Sequence, residues 1–419
     1  MPVAMSKSAT GTTQPGKRSL NVLVLDEWVP YPPDSGKRIR TWNLLRRLAL
    51  RHEITLLCYG DSSDEASALV RAARISLHTV GPLPNLGGWR LYLSLFGNLF
   101  SRYPYSVSKH YTQRYEDRLR RLLNEVQFDL IHCEWTPYAR FLRVADVLPN
   151  LIMTHNIESQ FWHRRAQYSP TILHRFFFAL QAQKMKLFER ETFRRADAVA
   201  SVTPLDAEQA RQWGAKRVSL VENGVDLDEF RPAEEPPAAS EILYLGSLDS
   251  YQNLDAVQYL LDEIMPIVAT RMPEIKLRIV GRRPPLELQS RVARCPWAQF
   301  VGEVADVRPH IARAALVVVP LRIGAGSRIK ILEALAMKKA VVSTSVGAEG
   351  LAVEDGRHVS IADTPLVFAT RTIELLNSPE EQLRLGTNGR RLVEERYSWD
   401  RIAEALESTW LQTCKLGGS

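Results

Sequence analysis

The strongest chemical pattern in the chain is a cluster of glycine, cationic and carboxylate residues between residues 319 and 336. An apolar run predicts a buried strand ending near Val319, and a helix with Ser327 as its N-cap is expected to end at Ala336. Two glycines lie in the loop between these elements, Gly324 and Gly326. Three cations and one carboxylate surround the same turn: Arg322, Arg328, Lys330 and Glu333. Backbone N–H groups at a helix start attract anions, so this pattern predicts a phosphate-binding turn.

An ordinary helix start with surface charge contains the same residue types, but three cations and two glycines at one turn favour the anion site. Two common nucleotide motifs do not fit. The dinucleotide fingerprint needs a third glycine where Ile329 stands. A Walker A loop needs Gly-Lys followed by Ser or Thr, which the chain lacks. The phosphate site therefore has to be of another kind.

Further candidates lie in the first half of the chain. His155 follows a predicted strand at 150–154 and begins a polar loop, although an isolated histidine is more often structural than catalytic. His132 and Glu134, at the end of the preceding strand, are weaker candidates of the same kind. Gly36 lies in a Pro/Gly-rich loop, where it allows either a tight turn or the close approach of a ligand. The cations that follow Gly36 are equally consistent with a solvated helix start.

Alternating strand and helix patterns position these residues and predict an α/β fold with two parallel-sheet domains facing a cleft. A disordered tail is expected at 1–19, a first Rossmann-like domain at 20–205 and a second at 206–395. A Pro- and Glu-rich linker is expected at about 228–240, and a C-terminal helix at 396–419 should return to the first domain.

Composition and charge restrict the class of protein. The chain has 419 residues, 45% of them hydrophobic, and no apolar run approaches the length of a membrane span. Its start lacks the apolar core of a signal peptide, and its four cysteines are scattered, so a reducing cytoplasm is expected. Residues 1–200 carry 28 Lys and Arg against 17 Asp and Glu, whereas residues 201–419 carry 26 against 30. The basic excess of the first half suggests a polyanionic or membrane partner.

Two stretches concentrate that basic charge beside aromatic residues, at 90–121 and 161–195. Most charge runs are solvated surface, but basic residues beside exposed aromatics also dock peripheral proteins on anionic lipid. The sequence therefore predicts a possible anionic membrane surface as a partner. No nucleic-acid recognition module is visible, so nucleic acid is not expected.

The segment 319–336, together with Val221-Glu-Asn-Gly-Val-Asp226, resembles family 4 (group 1) of the retaining, nucleotide-sugar-dependent glycosyltransferases. Weaker similarities follow in family order along the chain, at Leu23–Leu50, Met153–Glu158, Tyr244–Asp249, Phe300–Val304 and Ser345–Gly350. The resemblance implies the GT-B architecture, in which two Rossmann-like domains face a cleft and a C-terminal helix crosses back.

The resemblance also implies roles for the site residues. Glu333 matches the glutamate that contacts the ribose hydroxyls, but Ala325 stands where the family's other glutamate holds the donor sugar. Ser247 and Gln252 stand where many members carry an Arg and a Lys for the diphosphate, so Arg322, Arg328 or Lys330 is expected to supply that charge. The predicted catalytic residues are His155, Lys330 and Arg322. The predicted donor-binding residues are Gly36, Gly246, Gly281, Gly324, Gly326, Arg328 and Glu333.

The predicted function is transfer of a sugar from a nucleotide-sugar donor, with retention, to a glycan or lipid-linked acceptor in cell-surface polysaccharide or glycoconjugate biosynthesis. Because no carboxylate pair of the glycosidase type is identified, a same-face route assisted by the donor phosphate is expected. No metal site and no cofactor besides the donor are predicted. The protein should lie in the cytoplasm, on the inner membrane face if it docks. A GT-B epimerase or hydrolase, and a degenerate module that binds without turnover, remain alternatives.

Overall fold

The structure is a computed structural model that describes residues 18–60, 65–84, 86–145, 147–167, 169, 171–234, 237–323 and 328–415. The predicted tail at 1–19 lies outside these residues except for Arg18 and Ser19. In the described part, no helix is long and apolar enough to cross a membrane.

The first half forms a seven-stranded sheet with the order β3-β2-β1-β4-β5-β6-β7, in which each neighbouring pair is parallel. Its elements are, in chain order, β1 (Asn21–Trp28), α1 (Gly36–Leu48), β2 (Glu53–Tyr59), α2 (Glu65–Ala72), β3 (Ile75–Thr79), α3 (Gly88–Leu99), α4 (Tyr105–His110), α5 (Gln113–Glu125), β4 (Leu130–Cys133), β5 (Asn150–Thr154), α6 (Glu158–Gln167), α7 (Ile172–Arg195), β6 (Ala198–Ser201), α8 (Pro204–Gln212) and β7 (Val218–Leu220). A 3₁₀ segment, Thr136–Val144, follows β4. Because β7 pairs with β6, the first domain continues past residue 205.

The second half forms a six-stranded parallel sheet with the order β10-β9-β8-β11-β12-β13. Its elements are β8 (Ala238–Leu245), α9 (Tyr251–Tyr259), α10 (Met265–Arg271), β9 (Lys276–Val280), α11 (Leu286–Ala293), β10 (Ala298–Gly302), α12 (Arg308–Arg313), β11 (Ala314–Val319), α13 (Ile329–Ala336), β12 (Ala340–Ser343), α14 (Ser345–Ala348), β13 (Ser360–Ile361), α15 (Pro365–Leu376), α16 (Pro379–Arg396) and α17 (Trp399–Cys414). The predicted α/β class with two parallel-sheet domains is confirmed.

Central strands of both sheets are buried on both faces because helices cover each side of a parallel sheet. In β1 the side chains from Val22 to Leu25 are fully buried, and all six residues of β11 are buried as well. Such continuous apolar runs explain why the sequence reveals these strands. Their carboxyl ends carry the loops that meet between the domains.

The helix α17 packs on the first domain although it follows the second in the chain. Trp399, Leu406 and Trp410 are buried in the same cluster as Leu20 and Leu44. Arg47 on α1 is ion-paired with Asp400 on α17, with 2.8 Å between Nε and Oδ1. The chain thus crosses the cleft twice, once between β7 and β8 and once before α17.

A buried arginine fastens the first crossing to the first domain. Arg40 on α1 donates to the backbone oxygens of Val221 and Glu222 and to Oδ1 of Asn223. Its side chain is fully buried, so the expectation of a solvated helix start is wrong for this residue. Three acceptors compensate for the loss of water around the guanidinium.

Candidate active site

Gly246 and Gly281 directly follow β8 and β9, and their loops form a surface of the second domain that faces the cleft. This surface is the Gly246 floor. A Cβ atom on Gly281 would lie 2.0 Å from the backbone oxygen of Gly246, so no other residue fits at that position. The N–H of Gly246 donates to Val280 O at 3.0 Å, and the N–H of Leu248 donates to Arg282 O at 2.9 Å. The two predicted donor-site glycines therefore lie in touching loops, with backbone groups close to any ligand above them.

Lys330 lies directly beside this floor, at the second residue of α13. Its Nζ donates to Asn253 Oδ1 at 3.0 Å and lies 4.9 Å from the ring centre of Tyr244. A Cβ atom on Gly246 would be 3.0 Å from the same Nζ. Burial and, to a smaller extent, the charge of Arg328 lower the pKa of Lys330 to about 7, while the charge of Glu333 opposes the shift. Among the described residues no carboxylate is ion-paired with this ammonium, which leaves it available for an anion.

Glu333 lies one helical turn beyond Lys330, on the same side of α13. Burial raises the pKa of its carboxyl to about 7, and the charge of Lys330 opposes that rise. The structure records no hydrogen bond between the Glu333 side chain and any other described residue. A partly buried carboxylate without a protein partner is suited to accept bonds from a ligand diol.

The other two predicted cations have partners within their own domain. Arg322 is paired with Asp255 through two bonds of 2.7 and 3.1 Å and covers the ring of Tyr259 at 4.3 Å. Arg328 is only 6% exposed, and its Nη2 donates to Val346 O at 2.9 Å while its Nε donates to Glu349 O at 3.2 Å. Their roles at the diphosphate stay predictions. Gly324, Ala325, Gly326 and Ser327 lie outside the described residues.

His155 lies across the cleft, after β5. Its Nε2 is 2.8 Å from the backbone oxygen of Glu134 and 3.5 Å from Glu134 Oε1. Burial lowers the pKa of His155 to about 4, and the nearby Glu134 carboxylate opposes this shift. The ring is therefore neutral near pH 7, with the Nε2 proton directed at the carbonyl and Nδ1 left as an acceptor. Its predicted catalytic role stays a prediction.

A small cavity between the domains brings His155 and Arg328 together. The lining residues that carry charge or hydrogen-bonding groups are His155, Asn156, Gln160, Arg164, Thr203, Asp206, Arg328 and Glu349. Helix α6 and the start of α8 supply the first-domain side, and the loops around α13 and α14 supply the other. Lys330 and Glu333 are not among the residues that line this cavity, so His155 and the Gly246 floor belong to separate parts of the cleft.

Sequence reasoning gave little weight to a charged cluster where β1 and β4 separate at the start of α1. Lys37 Nζ lies 2.6 Å from Asp26 Oδ1 and 3.4 Å from Glu27 Oε2. Burial alone would lower the pKa of Lys37, but the charges of Asp26 and Glu27 raise it. Thr41 donates to Glu134 Oε1 at 3.1 Å on the same edge. Gly36 is the first residue of α1, so it lies beside this cluster. The sequence signal for this cluster was the presence of acidic residues at the ends of two buried strands.

Comparison with known proteins agrees with this architecture. Residues 35–229 match the sequence model described as Glycosyltransferase Family 4, and residues 239–378 match the one described as Glycosyl transferases group 1. A protein of Klebsiella pneumoniae, described as an uncharacterized 44.6 kDa protein in the cps region, is 22% identical over 92% of this chain and 98% of its own length. D-inositol 3-phosphate glycosyltransferase 2 of Catenulispora acidiphila is 31% identical, over 51% of this chain and 56% of its own length.

Solved structures share the fold at low sequence identity. Anabaena HepE in complex with UDP and glucose has a TM-score of 0.67 and 15% identity, covering 93% of this chain and 99% of its own. Sucrose-phosphate synthase from Thermosynechococcus elongatus has a TM-score of 0.71 and 17% identity, covering 94% and 99%. The expected GT-B architecture is confirmed.

Proposed function

Because this chain belongs to the family 4 (group 1) glycosyltransferases, we propose that it transfers a hexosyl or related sugar, with retention, from a nucleotide sugar to a glycan or lipid-linked acceptor. Such a reaction belongs to the biosynthesis of cell-surface polysaccharide or glycoconjugates. The cps-region relative, which aligns over nearly its whole length, supports this context.

One observation carries the proposal: Lys330 and Glu333 lie on one helix beside the Gly246 and Gly281 floor, and among the described residues neither is ion-paired with a residue of another element. The floor and the ammonium suit the diphosphate, and the carboxylate suits the ribose hydroxyls. In the transfer, the bond between sugar C1 and the phosphate oxygen breaks, and the diphosphate leaves with the electron pair. The acceptor oxygen bonds C1 on the same face and gives its proton to the departing phosphate. Lys330 stabilises the charge that grows on that phosphate.

On the other side of the cleft, the first domain offers carboxylates to the acceptor. Asp26 and Glu27 lie in the last residues of β1, and Glu134 directly follows β4. The strand order changes direction between these two strands, where parallel sheets bind ligands. Carboxylates accept hydrogen bonds from sugar hydroxyls, which suits a hydroxyl-rich acceptor. The neutral imidazole of His155, whose Nε2 lies 3.5 Å from Glu134 Oε1, accepts a further hydroxyl bond through Nδ1.

A membrane-facing surface accompanies this site on the first domain. The docking face consists of the exposed side of α3 and the first turns of α7. Its exposed apolar residues are Trp89, Tyr92, Leu93, Phe96, Phe100, Ile172, Leu173 and Phe176. Lys184 joins the two helices by donating to the backbone oxygens of Asn98 and Leu99. Exposed Arg90, Arg102 and Arg175 lie beside these residues, and this combination suits an anionic lipid surface. Cys133, Cys295 and Cys414 are free thiols, which supports the expectation of a reducing cytoplasm.

The test is a screen of UDP-, GDP- and ADP-sugars for binding by thermal shift and for release of nucleoside diphosphate. We expect one donor to bind and to hydrolyse slowly without acceptor, at a rate that EDTA leaves unchanged. Glu333→Gln is the matched control and should reduce the shift.

Two outcomes would favour the alternatives. Ala325, in the place of the family's sugar-binding glutamate, is the one feature that favours a module without turnover. Donor binding with no release of nucleoside diphosphate, even with glycan acceptors, would establish that module. Release of free sugar as the only product under all acceptor conditions would establish a hydrolase.

A further inference from the structure

One ion pair joins the two domains directly across the cleft. Nη1 of Arg282, which follows β9 in the second domain, donates to Oδ2 of Asp34 at 2.8 Å. Asp34 lies in the loop between β1 and α1 of the first domain. The Arg282 side chain is 19% exposed and that of Asp34 is 35% exposed, so the pair is half-buried in the cleft.

The base of the Arg282 side chain is fixed on the Gly246 floor. Its Nε donates to Ser247 Oγ at 2.8 Å, and Ser247 in turn donates to Asp249 Oδ1 at 2.7 Å. Arg282 follows Gly281, whose loop touches Gly246. The guanidinium thus flanks the Gly246-Ser247 turn on one side, and the Lys330 ammonium lies beside Gly246 itself.

Arg282 differs from the other cleft arginines in the origin of its carboxylate partner. The bidentate partner of Arg322, Asp255, belongs to the same domain, and so does Glu349, which binds Arg328. Arg282 instead makes its short bond to Asp34 of the opposite domain, whereas Asp249 of its own domain is 3.8 Å away. A carboxylate and a phosphate present the same charge and similar oxygen geometry to a guanidinium.

We propose that Arg282 binds the diphosphate of the nucleotide donor and that Asp34 occupies the same guanidinium when the donor is absent. The inference rests on the proposed function, since it assumes a nucleoside diphosphate on the Gly246 floor. Many family members carry an arginine at the position of Ser247. Arg282, which lies beside Ser247, then provides the missing cation. The ion pair acts as a latch between the domains that the donor has to open. Once displaced, Asp34 remains bonded to Arg38, which donates to its Oδ1 at 3.1 Å.

Calorimetric titration of the full chain with nucleotides tests both halves of the proposal. The probe is whichever of UDP, GDP or ADP the wild type binds, with the matching monophosphate for comparison. Arg282→Gln keeps an amide donor for Ser247 and removes the charge. We expect it to weaken diphosphate binding at least tenfold and monophosphate binding less than twofold. Asp34→Asn removes the competing charge and should tighten diphosphate binding about threefold or more.

The double variant and a neighbouring arginine provide the controls. In the Arg282→Gln background, Asp34→Asn should no longer tighten binding, because the two residues act through one contact. Arg283→Asn changes an arginine that is 73% exposed at the next position and should leave both affinities unchanged. Asparagine tolerates the positive φ of 53° at that residue.

The outcomes separate this inference from the proposed function. If the wild type binds no nucleoside diphosphate, the proposed function fails. If it binds one and Arg282→Gln binds it equally well, or loses diphosphate and monophosphate alike, then Arg282 is only a structural contact and the inference is wrong. Weaker diphosphate binding by Asp34→Asn would overturn the latch.

Discussion

Replacement of Lys330 by methionine removes a buried ammonium while keeping most of the side-chain volume, and it should abolish a proton uptake on nucleotide binding. Burial lowers the pKa of Lys330 to about 7 in the empty protein. At pH 8.5 a group with that pKa is only about 3% protonated. Contact with a diphosphate restores the ordinary lysine range near 10.4, so binding at pH 8.5 should take up about 1 proton.

The dissociation constant of the nucleotide should depend on pH for the same reason. Between pH 7 and 10 the empty site has to bind a proton before it pairs with phosphate, so the dissociation constant should rise about tenfold per pH unit. At pH 6 Lys330 is already charged, so Lys330 itself should contribute almost no uptake. The diphosphate does not interfere at pH 8.5, because its last proton dissociates near pH 6.

Titration calorimetry in buffers with different ionisation enthalpies measures this uptake directly. Lys330→Met should bind more weakly by about 10- to 100-fold at pH 6 and show no uptake at pH 8.5. Glu333→Gln shows which of the two neighbouring groups takes up the proton. If that group is Lys330, this variant should keep the uptake. An uptake of the same size in Lys330→Met, or none in the wild type, would refute the assignment of Lys330 to the diphosphate.

Removal of the Lys330 ammonium should affect stability and rate in opposite directions. An ammonium with a lowered pKa binds more protons in the unfolded chain between pH 7 and 10.5, so its burial costs stability that returns as pH rises. Empty Lys330→Met should therefore melt at or above the wild-type temperature at pH 7. Lys330→Ala should lower the transfer rate more than the donor affinity, because leaving-group charge grows in the transition state. An empty variant that melts several degrees lower would make Lys330 structural.

Four further changes test other parts of the account. Glu333→Ala should weaken nucleotide binding by about 1.5–3 kcal/mol in calorimetry without lowering the melting temperature; unchanged affinity would reject the ribose role. Gly281→Ala should abolish donor binding while circular dichroism stays native, because its Cβ would meet Gly246 O at 2.0 Å. Arg40→Met should cost about 3–5 kcal/mol in urea unfolding, since its carbonyl partners lose their donors; a loss below about 1 kcal/mol would contradict its fastening role. Phe96→Ser should reduce sedimentation with anionic vesicles at low salt. Leu286→Ser, which removes an exposed apolar side chain from the other domain, should not reduce it.

The sequence identified the central strands because burial on both sheet faces leaves continuous apolar runs. The strand at 150–154 has the predicted bounds, and the predicted strand that ends near Val319 is β11. The sequence missed the four edge strands, which are β3, β7, β10 and β13. Edge strands are packed on fewer sides and mix polar with apolar residues, so their pattern resembles loops.

The sequence predicts the parts of the site that neighbouring residues build. It does not predict the parts that depend on contacts between residues far apart in the chain. The Gly246 and Gly281 loops and the Lys330–Glu333 helix follow strands that the sequence reveals. The bonds that bind Arg322 to Asp255, and Arg282 to Asp34, join residues 67 and 248 positions apart. Sequence spacing carries no record of such pairs, so an arginine with a structural partner looks the same as a free one.

The central claim is that a nucleoside diphosphate sugar binds between Lys330, Glu333 and the glycine floor. Its most direct test is the release of nucleoside diphosphate from UDP-, GDP- and ADP-sugars by the wild type beside Glu333→Gln and Lys330→Met. We predict release from one donor by the wild type and at least a tenfold slower release by both variants. Equal release by all three proteins would contradict the claim.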